Sequence, residues 1–212
     1  ELLYSHILII LLLGAGIFFT IKTKFVQIRM FIESLRVVAQ PGSDKNGLSS
    51  FQALMVSTAS RVGTGNIAGI STAICLGGSG AVFWMWIIAL LGSSSAFVES
   101  SLAQLFKIKG KHSYIGGPAY YMEKGLKKRW MGILFAVLIT ITFGFAFNSV
   151  QSNTMSAALQ SAFAVDPVLS GAVISLLTLF IIFGGIHRIA AFSSVIVPIM
   201  AVGYILLALF VV

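Results

Sequence analysis

Residues 2–21, 81–106, 131–152, 168–186 and 190–212 form five apolar stretches, each close to the roughly 20 residues a helix needs to cross a bilayer. Nothing else in the chain constrains its fold more. Backbone inside hydrocarbon must satisfy its own N–H and C=O groups, so long apolar runs become helices. Charged residues make up 9% of the chain and hydrophobic ones 58%, which leaves too little polar surface to coat a soluble core. The predicted fold class is all-α integral membrane, a single transmembrane unit over residues 1–212.

A sixth stretch, 51–78, is weak by hydropathy. It is rich in Ser, Thr, Gly and Ala, and it contains Arg61 and Asn66. The basic residues make it a span. Lys22, Lys24, Arg29, Arg36 and Lys45 lie between the first and second stretches. Lys107, Lys109, Lys111, Lys124, Lys127, Lys128 and Arg129 lie between the third and fourth, and Arg188 lies between the fifth and sixth. The other connections carry no Lys or Arg. Basic loops stay on the cytoplasmic side. Six spans satisfy that rule, with Glu1 and Val212 both outside the inner or plasma membrane. With only five, later basic loops would switch sides. The net charge of +8 is therefore a topology signal, and no nucleic-acid surface is expected. The first stretch lacks a basic start and a cleavage site, so it is not read as a signal peptide. The chain starts without Met and ends in an apolar run, so it reads as cut from a longer protein.

Between the spans, residues 24–40 are amphipathic, with Phe25, Ile28, Ile32 and Leu35 at helical spacing. They are expected to lie along the inner membrane surface. Pro41, Gly42, Ser43 and Asp44 break the chain before the second span. In the loop 114–125, Gly116, Gly117 and Pro118 form a turn. Tyr120, Tyr121 and Lys124 suit an interfacial helix. Asp166 and Pro167 make a tight outside turn with Pro at a helix start. Cys75 excludes a disulfide within the chain and reads as a packing residue.

Three features carry chemistry. The first is the segment 57–73, STASRVGTGNIAGISTA, which puts Gly63, Thr64, Gly65 and Asn66 near the middle of a span. Gly costs about 1 kcal/mol in a helix interior, so local unwinding is cheap there. Unwound backbone survives in a bilayer only where protein or a cavity surrounds it. Its carbonyls can bind a cation, and its amides a carboxylate. The alternative is close helix packing through small residues such as Gly65 and Gly69. The second feature is Thr140, Gly144, Asn148 and Gln151, on one face of an ideal helix. They form either a ligand surface or a set of interhelical hydrogen bonds. The third is a pair of intramembrane charges, Arg61 and Glu99, at similar predicted depth. They read as a buried ion pair, an inner gate or a proton relay. No nucleophile–base pairing is evident, so no catalytic residue and no enzyme is predicted. The three His residues are too scattered for a metal site.

The segments SRVGTGNIAGISTAI, AFVESSLAQLFK, YIGGPAYYMEKGL and NSVQSN, in this order, resemble the alanine or glycine:cation symporter family, whose typical members are sodium:alanine symporters. The resemblance covers essentially the whole chain. It implies a leucine-transporter-like fold of two inverted five-helix repeats. Residues 2–21 would be an extra N-terminal helix, and the next five spans the first repeat. The second repeat would lie in a C-terminal half missing from this chain. It implies symport of a small neutral amino acid with sodium as coupling ion, no other cofactor, and a lipid bilayer as partner. Gly63, Thr64, Gly65 and Asn66 match the broken first core helix, and Gln151 a substrate-facing position. The expected substrate contacts are Gly63, Thr64, Gly65, Asn148 and Gln151. Ala59, Val62 and Asn66 are the expected sodium ligands. The rival readings are a channel-like pore and a structural membrane subunit without coupled transport.

Overall fold

A computed structural model describes residues 6–40, 48–110 and 114–211. The expected break at Pro41, Gly42, Ser43 and Asp44, the basic residues Lys45 and Lys111, His112 and both chain ends lie outside the described residues. The chain divides into two compact units, Glu1–Val37 with Ser71–Thr140 and Val38–Ile70 with Ile141–Val212.

The first unit is built on α1 (Leu8–Lys22) and the long α5 (Ile70–Leu105). The two helices touch at Gly16, where a Cβ would lie 3.0 Å from the Cβ of Leu91. That close approach brings Ser94, fully buried, onto the carbonyl of Gly16 at 3.1 Å and the hydroxyl of Thr20 at 3.0 Å. Lys24 and Phe25 then adopt left-handed backbone, φ 53° and 54°, which ends α1 and redirects the chain into α2 (Val26–Arg29) and α3 (Phe31–Ala39). Gln27 reaches back to the Thr20 hydroxyl at 3.3 Å. Phe25, Ile28, Ile32 and Leu35 are all exposed, so this chain leaves the predicted apolar face of 24–40 uncovered.

Gly78 interrupts the helical backbone of α5 with φ 61° and ψ −158°, a conformation open to glycine. It falls where the second and third predicted spans meet. Cys75, expected to pack, is exposed. After α5, β1 (Ile108–Lys109) pairs antiparallel with β2 (Tyr114–Ile115), a short ladder an all-α reading did not foresee. Lys107 lies 4.6 Å over the Tyr114 ring. The turn at Gly117 leads into α6 (Pro118–Lys124), the helix predicted around Tyr120 and Tyr121, and then α7 (Arg129–Ile141).

The second unit contains α4 (Ser50–Arg61), α8 (Asn148–Phe163), α9 (Pro167–Ile182) and α10 (Gly185–Val211). α10 packs along α4 and α9, and α8 packs on α9. A capping box starts α4. Ser49 Oγ accepts from the Gln52 amide and Gln52 Oε1 from the Ser49 amide, both at 3.1 Å. Pro167 stands at the first helical position of α9, the helix start the sequence predicted, and Asp166 caps it, accepting from the amides of Val168 and Leu169 at 2.8 and 3.2 Å. Arg188 folds back in the first turn of α10, 4.0 Å over the Phe180 ring.

Among the described residues, three helices are long and apolar enough to cross a membrane: Gly65–Leu105, Arg129–Phe163 and Gly185–Val211. Leu8–Lys22 and Pro167–Ile182 are shorter apolar helices. The fourth predicted span, 131–152, runs on well past Ser152, because the Asn/Ser/Thr-rich residues that follow continue the helix to Phe163. The molecule is a helical, multi-pass membrane protein.

Candidate functional site

The segment 57–73 does not form one continuous α-helix. α4 ends at Arg61, and Val62 leaves the helical region with φ −92° and ψ 89°. Its amide donates to the Thr58 carbonyl at 2.9 Å. Gly63 is non-helical. Helical backbone resumes at Thr64, φ −57° and ψ −29°, and opens into a wide π-helical turn over Gly65–Gly69. Of the two readings the sequence allowed, a broken helix is the observed one. The break follows from the local sequence, since Gly63 and Gly65 flank Thr64 and lower the cost of leaving the helix.

Each side of such a break carries partial charge. The last carbonyls of α4 form the negative end of its dipole and favour a cation. The first amides of the resuming helix form a positive end and favour a carboxylate. Ala59 and Val62 stand on the first side, Thr64 and Gly65 on the second. Gly63 and Thr64 are half-buried, while Ala59, Val62, Gly65 and Asn66 are exposed. Asn66 bridges the two sides. Its backbone N–H donates to the Gly63 carbonyl at 3.0 Å, and its side-chain Nδ2 donates to the carbonyl of Arg61.

Gln151, on α8, comes directly against the break. A Cβ on Gly63 would sit 3.5 Å from Gln151 Nε2, 3.7 Å from Cδ and 3.8 Å from Oε1. A methyl at 63 would rest in van der Waals contact with this half-buried amide, and a longer side chain there would meet it. A Cβ on Gly65 would meet nothing within 4 Å, so that side of the break is open within this chain. The geometry thus assembles a main-chain cation-favouring end, a main-chain anion-favouring end and one side-chain amide carrying both donor and acceptor.

The remaining predicted residues are placed differently. Asn148 is exposed and turns Nδ2 back to the Gly144 carbonyl of its own helix at 3.3 Å. Thr140 donates to the Ala136 carbonyl at 2.7 Å. The helix that carries these residues contains a second π-helical turn, Thr142–Phe147. Spacing arithmetic for a regular α-helix does not carry across it, because a wide turn takes up an extra residue. Arg61 is exposed, with Nη1 donating to Ser57 Oγ at 2.9 Å. Glu99 is exposed on α5. It acts on Tyr121 of α6, whose hydroxyl is pushed above the usual tyrosine pKa by burial first and by the Glu99 charge second. Arg61 and Glu99 thus each have local neighbours, in different units.

Sequence reasoning missed the two wide turns and the Asn66 bridge. The turns have no residue signature beyond their glycines. The Asn66 contact depends on where the break falls to the residue.

The chain matches the sodium:alanine symporter family over residues 1–212. Among characterised relatives, it is 55% identical to the probable sodium/glutamine symporter GlnT of Bacillus subtilis, over 100% of this chain and 45% of that protein. It is 54% identical to the amino-acid carrier protein AlsT of the same organism, over 95% of this chain and 43% of that protein. It is 39% identical to the sodium/alanine symporter AgcS of Methanococcus maripaludis, over 99% of this chain and 48% of that protein. The chain therefore spans less than half the length of these relatives.

Proposed function

The chain belongs to the sodium:alanine symporter family, and on that footing we propose that it is the N-terminal half of a sodium-coupled secondary symporter for a small neutral amino acid, alanine or glycine. The observation that carries this reading is the helix break at Val62 and Gly63 with the Gln151 amide against it. A zwitterionic amino acid and a monovalent cation need opposite partial charges close together in a water-poor place. A broken helix supplies both from one backbone.

In the proposed mechanism the amides at Gly63, Thr64 and Gly65 receive the substrate carboxylate, and Gln151 orients it. Asn148 joins this surface if its amide leaves the Gly144 carbonyl. Sodium is cargo. It takes the carbonyls of Ala59 and Val62, with Asn66 Oδ1 as a third oxygen. Sodium binding lowers the cost of bringing a carboxylate in, and the carboxylate does the same for sodium. This reciprocity couples the two fluxes. A short side chain fits beside Gly63 and a long one clashes. The fold proposed for the full-length protein is the leucine-transporter-like pair of inverted repeats, working by alternating access. This chain would supply the extra helix α1 and the first repeat, in the cell membrane with both ends outside.

The test is uptake by the full-length protein in proteoliposomes. Saturable alanine or glycine uptake that requires an inward sodium gradient is expected. Glutamine belongs in the same assay, since one relative is named for it. Sodium current without amino acid, linear in voltage, would support a pore instead. No ligand-dependent flux and no ligand-dependent stabilisation would support a structural subunit. For topology, a single Cys at Lys127 in a Cys75→Ser background should react with impermeant reagent only from the cytoplasmic side.

A further inference from the structure

Asn66 holds both edges of the helix break. Its backbone N–H meets the Gly63 carbonyl, and its side-chain Nδ2 meets the carbonyl of Arg61, the last residue of α4. Which end of the amide faces Arg61 is fixed by chemistry. A carbonyl only accepts, so the nitrogen must point at it. In an unbroken α-helix the Arg61 carbonyl would take the amide of Gly65. The break at Val62 and Gly63 removes that partner. Within a bilayer a stranded carbonyl has no water to turn to, and leaving it bare is costly.

We infer that Asn66 is a positioning residue that latches the break: its side-chain amide replaces the missing backbone amide on Arg61. The latch fixes the distance across which the carbonyls of Ala59 and Val62 face the amides of Thr64 and Gly65. It also leaves Oδ1 as the one Asn66 atom free for a cation. What the latch positions rests on the transport reading above. The latch itself does not.

Asp is the discriminating substitution. It has the shape of Asn and keeps oxygen for a cation, but as a carboxylate it cannot donate to Arg61. In the full-length protein, Asn66→Asp and Asn66→Ala should lower alanine affinity at saturating sodium by a similar factor, about tenfold, in line with the loss of one hydrogen bond. Asn66→Gln, which keeps the donor, should fall between these and the wild type. Hydrogen exchange of the peptide covering 59–70, measured without ligand, should speed up in the Asp and Ala variants and less in Gln. If Asn66→Ala does not fold, the Asp and Gln pair carries the test. Asp binding more tightly than Gln would overturn the latch in favour of a direct ion ligand. Affinity unchanged in a less stable protein would overturn it in favour of a purely structural role. Failure of the wild type to bind alanine with sodium would overturn the transport reading, while the exchange measurement would still decide the latch, with unchanged exchange in Asn66→Asp and Asn66→Ala overturning it.

Discussion

Among the described residues, two polar clusters, one in each unit, sit between apolar helices and are built in opposite ways. In the first unit, Thr20, Ser94 and the Gly16 carbonyl satisfy one another, and Ser94 is 0% exposed. The two hydroxyls give and accept within the cluster, with the Leu91 carbonyl a second acceptor for Ser94 at 2.8 Å, and the one polar atom left over beside them is the buried Oε1 of Gln27. In the second unit, Gly63, Thr64, Asn66 and Gln151 gather around interrupted backbone, and all of them retain accessible surface. The carbonyl of Arg61, at the end of the broken ladder, has been retaken by a side chain, that of Asn66. The difference lies in satisfaction rather than polarity. A closed set of hydrogen bonds is packing, whereas an open set beside unwound backbone is a place for something to bind.

The contrast makes separable predictions, all for the full-length protein. Gly63→Leu should have the largest effect. The new side chain enters the space now held by the Gln151 amide, 3.5 Å from where Cβ would stand. Alanine binding measured calorimetrically with sodium should be abolished while the protein still inserts and folds. Gly65→Leu also obstructs the open side, though nothing in this chain crowds it. Wild-type affinity in Gly63→Leu would remove this cluster from the binding site.

Gln151→Ala should come next. Losing one hydrogen-bonding partner of the ligand should weaken alanine binding by about 1–3 kcal/mol. Insertion should be undisturbed, because Ala is easier to bury in a bilayer than Gln. Equal affinity in the variant would leave Gln151 as a packing residue like Ser94, and the contrast would collapse from that side.

Gly16→Leu probes the closed cluster. Its Cβ would press on Leu91 at 3.0 Å, and overpacking of this kind costs about 1–3 kcal/mol. The loss should appear in the melting temperature and leave alanine affinity as it was. A matching loss of affinity would mean that the first unit shapes the binding site.

What could be read before the structure depended on the range of the physics. Apolar length and the cost of Gly in a helix act locally, so the spans and the weakness at Gly63 and Gly65 were legible. Spacing singled out Gln151 on a polar helix face, the resemblance matched it to a substrate-facing position, and the structure puts it at Gly63. Register was not legible. A regular-helix count put Thr140 on one face with Gln151, but the wide turn at Thr142–Phe147 intervenes, and nothing in its sequence announces it. The predicted Arg61–Glu99 pair joins residues of different units and stays an expectation. Its depth came from counting along the chain, whereas pairing depends on what packs against each residue. The Thr20 and Ser94 pairing joins residues 74 positions apart, beyond any periodicity. The serines near 94 carried no sign of which one would turn inward.

The smallest effect should come from Ser94→Ala. The substitution deletes one oxygen at a fully buried position, so it opens almost no cavity. It leaves the Thr20 hydroxyl without the acceptor it has at 3.0 Å and frees the Gly16 carbonyl from a donor at 3.1 Å. Gln27 Nε2 donates to Thr20 at 3.3 Å, and with its amide turned over Gln27 Oε1, buried without a partner, can accept from Thr20 instead, which keeps the loss small. The expected loss is about 1 kcal/mol of stability, with no change in alanine affinity. Thr20→Val removes the other partner at nearly constant volume. Adding it to Ser94→Ala should cost less than the sum of the two single losses, because a stranded hydroxyl is worse than none. Strict additivity would mean that the two hydroxyls do not stabilise each other. A fall in alanine affinity in Ser94→Ala alone would be more damaging, since a cluster that spends its hydrogen bonds on itself has none to lend to a ligand.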